Sequence, residues 1–244
     1  MSISGRQNEI LKLVEANTYV SVNELSRLTF ASPSSIRRDL TKLENLGLVK
    51  RSYGGASLPE INGRVAGFYN RATKNVKEKR FIAQKAASLL SDGQSILLDS
   101  STTASFMLPY IARLDSAVVF TNNLETAISA INQGITTHCI GGRSINGSVS
   151  LGGSAAYQAL SDINADIMFF SSQSLNSNGI ISDTTEDENY MRRIMLEHAR
   201  KTVFLCDSTK FKTSSLYALC SLNSIDFAVF DKVYEGLTAK ARLI

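Results

Sequence analysis

Two groups of residues have the types and spacing for binding chemistry. In the first, Asp99-Ser100-Ser101-Thr102-Thr103 places a carboxylate and four hydroxyls after an apolar run and at the opening of a helical segment. That pattern can turn backbone N–H groups and hydroxyls toward an anion such as phosphate. Thr121-Asn122-Asn123, Gly141-Gly142-Arg143 and Asp207-Ser208-Thr209-Lys210 end three further apolar runs, and Lys210 adds a cation. In the second group, Ser32 to Leu46 reads SPSSIRRDLTKLENL. Ser32, Ser34 and Ser35 stand at the head of this segment, where hydroxyls can meet phosphates. Arg37, Arg38 and Lys42 follow within reach of phosphates or guanine edges.

The elements needed to position the second group are explicit. Ser32 is a favoured N-cap and Pro33 suits the first helical position. Ile36, Leu40 and Leu43 fall on one buried side and leave the basic residues outside. Gln7 to Ala16 carries Ile10, Leu11, Leu13 and Val14, and Ser21-Val22-Asn23-Glu24 reads as a capping box before Leu25 and Leu28. Thr29-Phe30-Ala31 is then the tight connection of a helix-turn-helix. Gly47 is a helix stop, Leu48 to Tyr53 alternates as a strand, and Gly54-Gly55 turns it into a wing. Lys50 and Arg51 would lie along the DNA backbone, with Tyr53 at the wing tip as a further DNA-binding residue. An ordinary capped surface helix, with its arginines paired to Asp39 and Glu44, is the alternative for SPSSIRRDL alone.

The first group needs a sheet. Ile96–Leu98, Ala117–Phe120, Thr136–Ile140, Ile167–Phe170, Val203–Leu205 and Phe227–Phe230 are apolar runs, most of them separated by helical stretches. This predicts a mainly parallel α/β sheet with both faces covered. In such sheets ligands bind where the strands end, so the four polar tips are expected to converge. Each tip alone reads equally as a helix cap or a turn. The basic stretch Arg71 to Arg80 is expected to open a helix continuing through Ile82, Ala83, Ala86, Leu89 and Leu90, with its charges on a solvated face.

The chain has 244 residues and 43% hydrophobic content, which suits a small module joined to a larger one. Residues 1 to 64 carry nine Lys/Arg against six Asp/Glu, residues 65 to 80 five against one, and the remainder twelve against fifteen. The basic excess therefore lies near the N-terminus, where nucleic acid would be met. Cys139, Cys206 and Cys220 form neither a disulfide framework nor a metal pattern, so no metal and no cofactor is expected. With no leader pattern and no membrane-length apolar run, a cytoplasmic location is expected.

Residues 5 to 57 resemble the N-terminal domain of the DeoR family of bacterial transcriptional regulators. The match runs from Arg6-Gln7 through Val22-Asn23-Glu24-Leu25, Ser35-Ile36-Arg37-Arg38-Asp39-Leu40 and Gly47 to Tyr53-Gly54-Gly55-Ala56. Tyr53 stands where the family usually has histidine. The resemblance continues through Arg71, Glu78-Lys79, Asp99, Thr121-Asn122, Gly141-Gly142, Gly179 with Asp183, and Asp207 to Phe211. It implies a sensor similar in fold to ribose-5-phosphate isomerase and coenzyme A transferases, which binds phosphorylated sugars or related metabolites. Ser101 replaces the family's usual glycine and Arg192 its usual lysine, a planar fork in place of a point charge. With Asp183, Glu186 and Arg192 added, the expected effector residues are Asp99 to Thr103, Thr121 to Asn123, Gly141 to Arg143, Asp207 and Lys210.

The sequence is thus read as a repressor of a carbohydrate-utilisation operon that a phosphorylated sugar releases from double-stranded operator DNA. The expected architecture is a winged helix-turn-helix over 1–57, a linker over 58–65 and an α/β sensor over 66–244, in a homo-oligomer with no membrane partner. No enzymatic turnover is expected. Two alternatives stand beside this reading: a sugar-phosphate isomerase with a DNA-binding appendage, for which Asp99, Asp183, Glu186, Asp207 and Lys210 are candidate residues, and a winged-helix scaffold that binds protein.

Overall fold

The computed structural model describes residues 4–17, 19–45, 48–52, 54–57, 65–237 and 239–244. The chain divides into two compact units, Met1–Gly63 and Arg64–Ile244. Tyr53, the helix stop at Gly47 and the linker stretch 58–64 lie outside the described residues.

The first unit packs α1 (Gly5–Ala16), α2 (Val22–Leu28) and α3 (Pro33–Asn45) against a small sheet of β1 (Val20–Ser21), β2 (Lys50–Ser52) and β3 (Gly55–Ser57). Ser4 and Gln7 form a capping box on α1, and the Ser21 hydroxyl caps α2 by accepting the Glu24 N–H. Ile10, Val14, Leu25, Ile36, Leu40 and Leu43 are fully buried together, the apolar sides that the periodicity of the three helices defines. The wing pairs β2 with β3 antiparallel, and β1 adds a third strand beyond the expected hairpin. Its turn needs both glycines. Gly54 has φ of +82°, and a side chain at Gly55 would press on the Val20 carbonyl at 2.3 Å.

The second unit opens with α4 (Val65–Thr73) and α5 (Val76–Ala86), which are not one helix as expected. Asn75 between them is left-handed, with φ 53° and ψ 37°, and breaks the run. A βα series follows: β4 (Ser95–Leu98), α6 (Thr102–Ser105), α7 (Leu108–Ile111), β5 (Val118–Thr121), α8 (Leu124–Asn132) and β6 (Thr136–Cys139). A hairpin, β7 (Arg143–Ser144) and β8 (Leu151–Gly152), leads to α9 (Ser154–Ser161) and β9 (Ile167–Phe170). Then come β10 (Ser174–Leu175), β11 (Ile180–Asp183), α10 (Glu186–Glu197), β12 (Thr202–Cys206), β13 (Tyr217–Ser221), β14 (Phe227–Phe230) and β15 (Arg242–Leu243).

The main sheet is parallel with the order β15-β14-β12-β9-β4-β5-β6, and all six expected strands are in it. Alternate residues feed two cores. Leu97, Phe170 and Phe204 face one, while Ile96, Leu98, Phe169, Val203 and Leu205 face the other. The strand order reverses between β4 and β9, the place where an open α/β sheet leaves a crevice. A second, antiparallel sheet of β10, β11 and β13 walls this crevice, a feature the apolar runs did not announce.

Candidate functional site

On α3, the Ser32 hydroxyl accepts the Ser35 N–H at 3.3 Å and also meets the Ser34 and Ser35 hydroxyls. Ser32, Ser34, Arg37, Arg38 and Lys42 are exposed and Ser35 is half-buried. Among the described residues, neither Arg37 nor Arg38 forms an ion pair. The carboxylates that the surface-helix alternative pairs with them, Asp39 and Glu44, are used elsewhere. Asp39 is buried and accepts from Arg6 at 2.6 Å and Gln7 at 3.0 Å, which ties α1 to α3. Glu44 accepts the Arg51 N–H at 3.0 Å, and the Arg51 guanidinium donates to Thr41 at 2.8 Å. Arg51 therefore braces the wing against α3, while Lys50 is exposed on the same strand.

In the second unit a cleft of about 230 Å³ opens over the ends of β4, β9 and β12. Of the sequence-expected effector residues, the structure brings Ser100 to Thr103, Asp183, Arg192, Asp207 and Lys210 to its lining. Reasoning from the sequence overlooked the α4–α5 junction, with Arg71, Lys74, Asn75 and Lys79. It also overlooked Ser171-Ser172-Gln173 at the end of β9 and Glu188 on α10, while Thr209 was seen in a polar tip but not counted among the effector residues. The remaining expected residues stand apart from the lining. Asn122 donates to the Leu151 carbonyl, Asn123 caps α8 by accepting the Thr126 N–H, and the Thr121 hydroxyl accepts the Asn123 N–H. Gly141, Gly142, Arg143 and Glu186 are exposed beyond it, and Arg143 pairs with Asp187. The reason is strand order. β5 and β6 lie on the far side of β4 from β9 and β12, so their tips miss the crevice.

Arg192 is the knot beneath the cleft. Its buried guanidinium donates to Asp99 and Asp183 at 2.8 Å each, and to Glu188 at 3.4 Å. Burial works to lower its pKa, but Asp183, Asp99 and Glu188 more than offset this and hold it well above the ordinary arginine value. Asp99 also accepts the Ser101 N–H and hydroxyl at 3.1 and 2.5 Å, and Ser101 in turn caps α6 by accepting the Ala104 N–H. The serine side chain is thus turned into the fold.

The remaining cations have fewer counter-charges. Lys79 is buried, and its ammonium donates to the Arg71 carbonyl and to the Thr102 hydroxyl, the latter at 3.1 Å. The solvated helix face expected for this stretch does not hold for it. Burial, reinforced by Lys210, pushes the Lys79 pKa down to about 8. Among the described residues, Arg71, Lys74 and Lys79 make no ion pair. Lys210 donates to Ser171 at 2.8 Å and lies 3.6 Å from Asp207, whose Oδ2 is buried with no hydrogen-bond partner. The other Asp207 oxygen accepts from Thr209 and from Asn75 at 3.2 Å. No signal of periodicity marks Asn75 or Lys79; the density of basic residues in 71–80 and the family resemblance at Arg71 and Glu78-Lys79 point there.

Such an arrangement can hold an anion beside hydroxyl-bearing carbons. No group of three or more metal-ligating side chains is present among the described residues, nor is any described helix long and apolar enough to cross a membrane.

Residues 6–62 match the DeoR-like helix-turn-helix domain and residues 74–232 the DeoR C-terminal sensor domain. The HTH-type transcriptional regulator GolR of Listeria innocua is 32% identical over 96% of this chain and 93% of its own length. The glycerol-3-phosphate regulon repressor of Haemophilus influenzae is 28% identical over 97% of this chain and 92% of its own. Among solved structures, ribose 5-phosphate isomerase A of Methanocaldococcus jannaschii superposes with a TM-score of 0.43 at 17% identity, over 57% of this chain and 55% of that one. With both family domains in sequence and the winged helix and parallel α/β unit in place, the chain belongs to the DeoR family of DNA-binding transcriptional regulators.

Proposed function

We propose that the cleft binds a phosphorylated sugar and that its occupancy releases the winged helix from the operator of a carbohydrate-utilisation operon. The observation that carries this reading is the cationic excess around Lys79. Arg71, Lys74, Lys79 and Lys210 face a hydroxyl-lined cleft, and burial already holds Lys79 near the edge of losing its proton. An anion would relieve that repulsion, while Ser100, Thr103, Ser172 and Asp207 remain for sugar hydroxyls. Relatives named as a glycerol-3-phosphate regulon repressor and a lactose phosphotransferase system repressor agree with such a ligand.

On the DNA side, Ser32, Ser34, Ser35, Arg37, Arg38 and Lys42 meet the operator from α3, with Lys50 and Arg51 on the wing. An effector that prefers one arrangement of the sensor changes operator affinity by the same coupling energy with which operator changes its own affinity. Binding proceeds without turnover in this reading. Asp99, Asp183 and Glu188 are engaged by Arg192, and the Asp207 oxygen left open for a sugar hydroxyl stands 3.6 Å from the Lys210 ammonium.

Melting of the full chain against sugar phosphates and their dephosphorylated counterparts tests the reading. A ligand in hundredfold excess over its dissociation constant stabilises by about 2.7 kcal/mol, a readily visible shift. The expected result is stabilisation by a phosphorylated sugar alone; equal stabilisation by both forms rejects the phosphate assignment.

A further inference from the structure

We infer that β6 and α8 form a self-association surface, on which a second copy of this chain seats by pairing β6 with β6 across a two-fold axis. β6 ends the seven-stranded sheet and, among the described residues, pairs on one side only, with β5. Thr136, His138 and Cys139 are exposed, so neither face of the strand is well covered. An open edge offers a row of unsatisfied N–H and C=O groups, which isolated proteins guard with lysine, proline or bulges. Thr136-Thr137-His138-Cys139 contains none of the guarding residues.

Beside it, α8 turns Leu124, Ile128 and Ile131 outward at 41, 53 and 60% exposure. Their spacing places them on one stripe, while Thr126, Ala127 and Ala130 are buried against the sheet. An apolar stripe next to an unpaired edge is the composition of an interface core rather than of a solvated surface.

Charge selects the occupant. Residues 124–139 contain no Asp, Lys or Arg and one Glu, Glu125, which accepts a hydrogen bond from Tyr69, and their single histidine, His138, stacks on Phe120. A polyanion would need cations here, and near the two-fold axis of an isologous contact a charge meets its own copy, so a near-neutral surface suits self-pairing. Antiparallel pairing of β6 with itself over its full length sets Thr136 opposite Cys139 of the second copy. Directly opposed residues have Cα separations of about 4.5 to 5.5 Å, within the range a disulfide spans. This inference is independent of the effector reading.

Sedimentation of the full chain over a concentration series tests it. The parent is expected to self-associate. Ile128→Asp with Ile131→Asp, both at exposed positions, should lower the mass by at least about twofold, with a dissociation constant raised on the order of 100-fold by the opposed charges. A parent that stays monomeric throughout, or a folded double variant with the parent's mass, overturns the inference. Should the double variant fail to fold, Thr136→Cys in the otherwise native chain decides. Mild oxidation is expected to give an interchain disulfide with Cys139 that is lost when Cys139→Ser is added. Absence of that cross-link overturns the strand pairing.

Discussion

The cations of the recognition helix and those of the sensor unit stand in opposite surroundings. Arg37, Arg38 and Lys42 project from α3 into water, whereas Arg192 and Lys79 are almost fully enclosed at 4% exposure each. Exposed cations act by displacing counterions from a polyanion, so they confer salt dependence. Enclosed ones must be neutralised locally or give up charge. Arg192 takes the first course with three carboxylates, whereas Lys79 pairs with none among the described residues and its pKa falls to about 8, so that it keeps its proton at neutral pH and loses it as pH rises past that value. In the proposed function, cations thus serve a structural knot, a pH-sensitive anion site and a DNA surface, according to burial and partners.

The sharpest way to break this comparison is at the knot. Arg192→Met leaves Asp99 and Asp183 buried without their counter-charge, and removing one partner of a buried pair typically costs about 3 to 5 kcal/mol. Denaturant unfolding should show a loss of that size, and a change within error would remove the knot from the account. Lys210→Ala spares the knot. It should weaken binding of the phosphorylated effector by about tenfold or more, a charge-assisted contact of roughly 1.5 to 3 kcal/mol, with operator affinity of the ligand-free protein unchanged.

The same cleft carries a pH signature. Lys79 binds the dianion only when protonated, so effector affinity should be full below about pH 8 and fall as pH rises through that value. Calorimetric titration on both sides of that pH shows it; a flat profile would detach Lys79 from the ligand. On the DNA surface, Arg37→Ala and Arg38→Ala should each weaken operator binding by about 1 to 3 kcal/mol, and Lys50→Ala should mainly flatten the salt dependence. Operator titrations at graded salt would contradict the assignment if a folded double arginine variant bound as the parent does. The smallest effect belongs to Ser101→Ala, which removes the α6 cap and should lower stability by about 1 kcal/mol.

The two units also differ in how much of them a linear reading can reach. The winged helix is local: Ser32, Pro33 and the spacing of Ile36, Leu40 and Leu43 define α3 within one stretch, and Gly54-Gly55 defines its wing. The sheet strands were legible for a similar reason, since each is a short apolar run. What fills the cleft was not. Knowing that the β9 tip lies between those of β4 and β12, with β5 and β6 beyond them, requires the strand order, and Ser171-Ser172 reads like any turn. Asn75 breaks a basic helix through a left-handed conformation that no periodicity encodes, and that break turns Lys79 and Arg71 toward the cleft. Arg192 was visible as a residue, and Glu188 stands four residues before it on α10, but Asp99 at the end of β4 and Asp183 on β11 reach it only through the fold, so spacing could not have shown the knot.

In the proposed mechanism, anion binding in the cleft controls DNA binding on the exposed helix. Fluorescence anisotropy of labelled operator, titrated with the stabilising sugar phosphate at about pH 7 and again at about pH 9.5, tests it in one measurement. The account predicts release of the DNA at the lower pH, at an effector concentration about tenfold or more higher for Lys210→Ala, and a weakened response of the parent at the higher pH. Release that is identical for parent and variant and unchanged with pH would contradict it.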